Sequence, residues 1–226
     1  EQLILKIDPS VTPVWIDREN LRQLPNNLDG LIISGWFMHR PQNFPETFQI
    51  PTLFTSFHLS SYYGATETIL SAKNEALWRL HEPIGCRDLS TLKKFTDKKI
   101  RAYLSKCTTL TLEKSRIPNT VKQIDRFIVD PSYSLSDDAY ESFVYRCFTP
   151  PDTSVFTSTM RRPDLPYLSI QERRESALDF LGIISSSREV VTSRIHVALP
   201  ALALGKKVIF TPLGFDLKNQ RERFLG

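Results

Sequence analysis

Short apolar runs alternate with helically spaced segments along most of this chain, and polar stretches carrying proline, asparagine or glycine separate them. Leu3–Ile7 and Val11–Ile16 read as strand pieces on either side of Asp8-Pro9-Ser10. Leu31–Gly35 and Thr52–His58 read as buried strands, joined by an extended loop that holds Pro41, Pro45 and Pro51. Thr66–Leu80 has helical spacing in Ile69, Leu70, Ala76, Leu77 and Leu80, with Thr66 as its cap. A short strand through Ile84 then meets a turn at Arg87, and Asp88 caps a helix over Leu89–Phe95. Ile100–Leu104 and Thr108–Leu112 complete this half as strands.

The second half opens with the strand Arg126–Asp130, closed by Pro131. Asp137–Cys147 fits either a helix or a packed loop, Ser154–Ser158 a strand, and Arg161-Arg162-Pro163 a basic loop. Ser169–Leu181 is an amphipathic helix with a capping box in Ser169-Ile170-Gln171-Glu172. Val190 to Phe210 then reads as strand, turn, buried helix, glycine stop and strand. Thr192-Ser193 can cap that helix, Ile195–Leu204 is apolar on nearly every side, and Gly205 with Lys206-Lys207 suits its negative end. Strands alternating with helices predict a mainly parallel α/β sheet in each of two lobes. The polar stretch Glu113–Asn119 is the boundary, which gives lobes over 1–115 and 116–226.

Parallel sheets present ligands at the carboxyl ends of their strands, against helix N-termini. His39 sits just past the first buried strand and His58 closes the second. Both are candidates for proton transfer because imidazole titrates near neutrality, and His39 reads equally as a surface-loop histidine. Arg87 and Arg194 occupy strand-end positions of the same type, and Ser193, Arg194, Ile195 and His196 form a helix mouth suited to an anion. The other reading of that mouth pairs Arg194 with a structural carboxylate and satisfies His196 in the core. Asp88 reads as a structural cap, and Asp130 is a weaker candidate base.

Composition narrows the partners. With 226 residues, 41% hydrophobic and 24% charged, the chain has room for one large domain or two small lobes. No apolar run approaches the roughly 20 residues that span a bilayer, and no signal-peptide pattern opens the chain. Cys86, Cys107 and Cys147 are odd in number and lack CxxC spacing, which predicts a reducing, cytoplasmic setting and no metal site. A net charge of +4 on dispersed basic residues suits small anionic ligands, and no nucleic-acid-binding pattern is present. Walker A, GxGxxG, GxSxG and DxD patterns are all missing, so neither a cofactor nor a metal-dependent nucleotide site is expected. The chain begins without Met and stops at Arg223-Phe224-Leu225-Gly226, which reads as a domain covalently linked to others in a longer polypeptide.

Three stretches together carry a family resemblance. They are Pro83-Ile84-Gly85-Cys86-Arg87-Asp88-Leu89-Ser90-Thr91, Ala102–Ser105 through Thr108–Leu112, and Val191–Pro200 with Gly205. In this combination the chain resembles the polysaccharide pyruvyl transferase superfamily from about Asp29 to Gly226. The resemblance implies a GT-B-like architecture of two small Rossmann-like lobes with an interlobe cleft, residues 1–115 on the acceptor side and 116–226 on the donor side. It implies that Arg87, Arg194, Ile195 and His196 bind the donor, phosphoenolpyruvate in the family's pyruvyl transferases. The family's Asn-x-Gly-Asp loop after the first strand is missing, and the remaining core resembles a subgroup found inside multi-domain glycan-assembly proteins. On that basis the expected activity is metal-independent glycosyl transfer, with a UDP-linked sugar such as L-rhamnose as nucleotide-sugar donor and an oligosaccharide as acceptor. The alternative is transfer of pyruvate from phosphoenolpyruvate to a glycan as a ketal. A second alternative is a sugar- or anion-binding module without catalysis.

Overall fold

Eight strands, each parallel to its neighbours, form two four-stranded sheets among the described residues of the computed structural model. The structure describes residues 2–117, 122–132, 142, 146–149, 153–160 and 167–211. Residues 13–108 form one unit, and residues 2–12 belong with 109–211 in the other. The α/β class with two Rossmann-like parallel sheets is thus as the alternation of elements predicts.

After a short helix α1 (Gln2–Ile7), the first sheet holds β1 (Leu31–Phe37), β2 (Thr52–Leu59), β3 (Ile84–Cys86) and β4 (Ala102–Leu104), side by side in chain order. Helices α2 (Ala65–Ile69) and α3 (Glu75–Leu80) connect β2 to β3, and α4 (Leu89–Asp97) connects β3 to β4. The core is aromatic: Phe37, Phe44, Phe48, Phe54, Phe57, Trp78 and Phe95 are buried in one cluster. Phe44 stacks on Trp78 at 5.5 Å, and Phe95 meets Trp78 edge-on at 4.8 Å. Gly85 lets β3 pack tightly against β2, since a Cβ there would stand 2.9 Å from the Phe54 carbonyl oxygen.

A one-residue bulge in β2 decides which side chains face this core. Ile33 pairs with Phe54 but Gly35 pairs with Phe57, so β2 carries one extra residue between them. Strict alternation from Phe54 would place Ser56 and His58 on the core face and Phe57 off it. The bulge lets Phe54, Phe57 and Leu59 all enter the core, and leaves His58 on the opposite face beside its register partner Trp36. Ser56 takes the strain with φ 51°, and its hydroxyl donates to the Lys106 carbonyl and accepts the Thr108 N–H.

The second sheet has the order β6-β5-β7-β8, built from β5 (Ile124–Val129), β6 (Val155–Ser158), β7 (Ser187–Thr192) and β8 (Lys207–Phe210). Helix α5 (Ile170–Ser186) starts at the predicted capping box on Ser169 and runs directly into β7. Helix α6 (Ile195–Ala203) connects β7 to β8. Phe127, Val129, Ile184, Val190, Val197 and Ala201 form the main core, and Ile128 with Val191 packs on the other face of the sheet. Arg126, Glu189 and Lys207 are register partners across β5, β7 and β8, so the buried Glu189 carboxylate has a cation on each side.

Several elements differ from the sequence expectation. Leu3–Ile7 lies in α1, and Val11–Ile16 forms no strand, because a short apolar run does not distinguish helix from strand and Pro13 has no N–H for a ladder. The helix expected over Thr66–Leu80 is broken in two. Gly64, not Thr66, is the N-cap of α2, and the Thr66 hydroxyl donates to the Ser60 carbonyl. The Asn74 amide and the Trp78 indole take the Ile69 carbonyl, which ends α2. Thr108–Thr111 is a 3-10 turn, since the Thr108 N–H goes to Ser56 and not to a strand. Most of Asp137–Cys147, and all of Arg161-Arg162-Pro163, lie outside the described residues. Among the described residues no helix is long and apolar enough to cross a membrane.

Candidate functional site

In the first unit, chemistry collects at the carboxyl ends of β2 and β3. β3 hands the chain to Arg87, whose N–H bonds the Phe57 carbonyl and so keeps the two strand ends level. Asp88 is the N-cap of α4, with its Oδ1 accepting the Thr91 N–H at 2.8 Å. Its Oδ2 stands 2.5 Å from His58 Nδ1. Thr91 in turn accepts the Leu59 N–H, and Lys94 donates to the Leu59 carbonyl, which fastens the end of β2 to α4. His58 is only 5% exposed, and the Arg87 guanidinium lies at 4.0 Å from Asp88.

Burial pushes the His58 imidazole below its ordinary range; the Asp88 bond opposes this, and the charges of Arg87 and Lys94 add to it. Burial works against the Asp88 carboxylate, yet the bonds from His58 and Thr91 outweigh it and hold Asp88 below the usual carboxylate range. His58 is therefore neutral near pH 7, and Asp88 is ionised. An ionised carboxylate only accepts, so the proton of the neutral ring sits on Nδ1 and leaves Nε2 as a basic lone pair. This is the arrangement of an oriented general base. Cys86, one residue earlier, takes no such role: burial pushes its thiol up to about 12.

His39 has different surroundings. Its side chain is 57% exposed, with Nδ1 at 3.3 Å from Glu19 and its ring 4.5 Å from Trp36 and 5.5 Å from Tyr63. Glu19 also accepts the backbone N–H of His39 and of Arg40. Burial raises the Glu19 carboxyl, but these bonds prevail and hold it below the usual range. The structure brings His58, Arg87 and Asp88 into one cluster and places His39 among aromatic rings.

In the second unit the chain leaves β5 towards β6 and leaves β7 towards β8, on opposite sides. The gap between the carboxyl ends of β5 and β7 is therefore a topological switch point, where open α/β sheets bind ligands. Asp130 follows β5 and Arg194 follows β7. Arg194 Nε donates to Asp130 Oδ2 at 3.0 Å, and the same carboxylate accepts the Thr159 hydroxyl at 2.6 Å and the Met160 N–H at 3.0 Å. At 4% exposure, Asp130 anchors Arg194 beside the end of β5. Arg194, not Thr192 or Ser193, is the N-cap residue of α6: Thr192 Oγ1 accepts the Arg194 N–H, and the Ser193 hydroxyl donates to the Asp130 carbonyl. Ile195 and His196 open the first turn of α6, where the helix field favours an anion. His196 is exposed and not a core histidine. Gly205, at φ 69°, ends the helix as its position predicts.

Sequence reasoning missed Glu19, Thr91 and Lys94 as partners of this chemistry, and took Asp88 for a cap alone. The Asp88–Thr91 spacing signals a cap, but no local signal points to His58, which is 30 positions away. Among the described residues, no group of three or more His, Cys, Asp or Glu side chains is placed to hold a metal ion.

The sequence matches the family described as polysaccharide pyruvyl transferase over residues 31–212. No curated protein and no solved structure matches the chain. The family match spans both strand-end clusters and corrects the expected activity. Glycosyl transfer from a nucleotide sugar, with its UDP and rhamnose terms, gives way to the pyruvyl-transfer alternative. The missing Asn-x-Gly-Asp loop, which had weighed towards glycosyl transfer, does not separate this chain from the family.

Proposed function

We propose, from the premise that the chain belongs to the polysaccharide pyruvyl transferase family, that it transfers the pyruvyl group of phosphoenolpyruvate to two hydroxyls of a glycan acceptor. The observation that carries this reading is the family match over residues 31–212, which includes every residue of the two clusters. In the reaction both acceptor oxygens bond to C2 of the enolpyruvate, and the C2–O bond to phosphate breaks. One hydroxyl proton ends on C3, which becomes the ketal methyl group, and the other leaves with inorganic phosphate.

Each cluster, taken within its own unit, fits one of those demands by its own chemistry. His58, neutral and aimed by Asp88, takes a hydroxyl proton on Nε2 as oxygen attacks. Arg194 and the first turn of α6 with Ile195 and His196 supply cationic and amide donors for the phosphate and carboxylate of the donor. Ser193 contributes by holding the Asp130 carbonyl, which fixes the turn that presents Arg194. Arg87 is a second anion contact at its own strand end. No resident cofactor enters; phosphoenolpyruvate is a substrate.

The test is incubation of the chain with phosphoenolpyruvate and candidate polysaccharides. Phosphate release together with a new ketal methyl singlet by proton NMR is the expected result. Neither signal with any acceptor, combined with no thermal stabilisation by phosphoenolpyruvate, would overturn the reading.

A further inference from the structure

Aromatic side chains that remain at the surface of a folded protein are candidates for contact with a ligand or partner. Four rings touch in sequence at the carboxyl end of the first sheet. Trp36 on β1 meets His39 at 4.5 Å, His39 meets Tyr63 at 5.5 Å, and Tyr63 meets Tyr62 at 6.3 Å. They come from two separate strand ends, β1 and β2. Tyr63 is 65% exposed and holds φ 59°, a strained conformation for a residue with a side chain, so local backbone preference does not account for its placement. Glu19 pins His39 through two contacts and the next residue, Arg40, through its backbone N–H. Arg18 adds a guanidinium 5.3 Å from the centre of the Trp36 ring.

Resting on the glycan acceptor of the preceding section, we propose that this run of rings is the acceptor subsite, a stacking platform for a pyranose ring of the glycan. One face of a pyranose is a patch of polarised C–H groups, which matches the negative face of an aromatic ring, while its hydroxyls need the polar rim that Arg18 and Glu19 provide. Successive rings are inclined to each other by 49–56°. That stepped surface suits a puckered sugar chain better than a flat nucleobase, which is best held between parallel rings. Location supports the assignment too. Trp36 is the register partner of His58, so their side chains leave the sheet on the same face, and a sugar seated on the platform lies on the side of the proposed base.

The experiment is titration of the full chain with cello-, malto- and galacto-oligosaccharides, followed by saturation-transfer NMR and calorimetry, for wild type, Tyr63→Ala and Tyr63→Phe. At least one oligosaccharide is expected to bind wild type. Tyr63→Ala should weaken it about tenfold, the scale of a lost stacking contact, and Tyr63→Phe should bind as wild type does. No binding by the whole panel, unchanged affinity in Tyr63→Ala, or Tyr63-dependent binding of UMP or AMP in place of the sugars would overturn the platform. Phosphate release that persists with an unmoved acceptor KM in Tyr63→Ala also removes the platform and leaves the reaction standing. Tyr63-dependent sugar binding with no phosphoenolpyruvate turnover does the reverse.

Discussion

His58 Nδ1 and Asp88 Oδ2 stand 2.5 Å apart, while the other oxygen of Asp88 accepts the Thr91 N–H that begins α4. One carboxylate therefore caps a helix and fixes the tautomer of an imidazole. The two duties separate by substitution. Asn caps a helix about as well as Asp, but its amide presents either an oxygen or an NH2 group, and carries no charge to hold the His58 proton on Nδ1.

Asp88→Asn should thus lose less stability than Asp88→Ala and lower kcat about a hundredfold or more, the usual contribution of a positioned acid or base. Asp88→Ala should lose the same activity and, in addition, about 1 kcal/mol of stability from the missing cap. Thermal melts beside steady-state phosphate release check both. Full activity in Asp88→Asn would return Asp88 to capping alone.

The same pair fixes a pH dependence. Burial, opposed by the Asp88 bond and reinforced by Arg87 and Lys94, lowers His58 from the ordinary 6.5. The neutral base therefore survives as pH falls through 6.5 and is lost only at the lower folded value, so the acid limb of kcat/KM should lie below pH 6.5. Stability moves in the same sense. The unfolded chain takes up this proton first, so the His58 contribution is complete above 6.5 and is lost as pH falls from there through the folded value. Asp88, lowered from 3.8, keeps its contribution until pH falls further, through its own folded value. Arg87→Ala removes a repelling charge and should move the acid limb upward. An acid limb above 6.5 in wild type would remove His58 from the role of base.

Much of this was legible from residue order. Leu31–Phe37, Thr52–Leu59 and Val155–Ser158 are apolar or β-branched runs bounded by turn residues, and each is a strand close to where the pattern puts it. The capping box at Ser169, the cap at Asp88 and the stop at Gly205 rest on local bonds and were equally readable. What escaped depends on neighbours in space. Asp88 meets His58 only because β3 lies beside β2, and Asp130 meets Arg194 only because β7 crosses over to the free side of β5. Thr108–Leu112 alternates like a strand, yet its first N–H is taken by Ser56, more than fifty positions back. Two strand-end histidines look alike in sequence, and burial alone separates His58 from the exposed His39.

Arg194 is expected to act in both stability and binding, and a second substitution separates the two. Arg194→Ala removes a charged donor from the buried Asp130 carboxylate, which keeps the Thr159 and Met160 donors, at a cost of about 2–4 kcal/mol. At 2–4 °C per kcal/mol for a chain of this size, the melting temperature should fall by roughly 4–16 °C. Adding Asp130→Asn removes the negative charge that Arg194 paired with and should recover part of that loss. Phosphoenolpyruvate binding, followed by calorimetry, should stay weak in the double variant. Restored binding there would make Arg194 purely structural.

Ser56 is the position at which the fold of β2 and the placement of His58 depend on one residue. At φ 51° it occupies a region that is costly for any side chain and most costly for a β-branched one. Its hydroxyl offsets that strain by bonding both Lys106 and Thr108, and its N–H bonds the Ser105 hydroxyl. Ser56→Gly relieves the strain but loses the hydroxyl bonds, so the net loss should be small, about 1 kcal/mol. Ser56→Val loses the same bonds and adds strain, for a total of about 2–4 kcal/mol. Chemical denaturation gives both values. If Ser56→Val were as stable as Ser56→Gly, the bulge could not be held in the left-handed conformation. The alternation that places Phe57 in the core and His58 beside Trp36 would then need another cause.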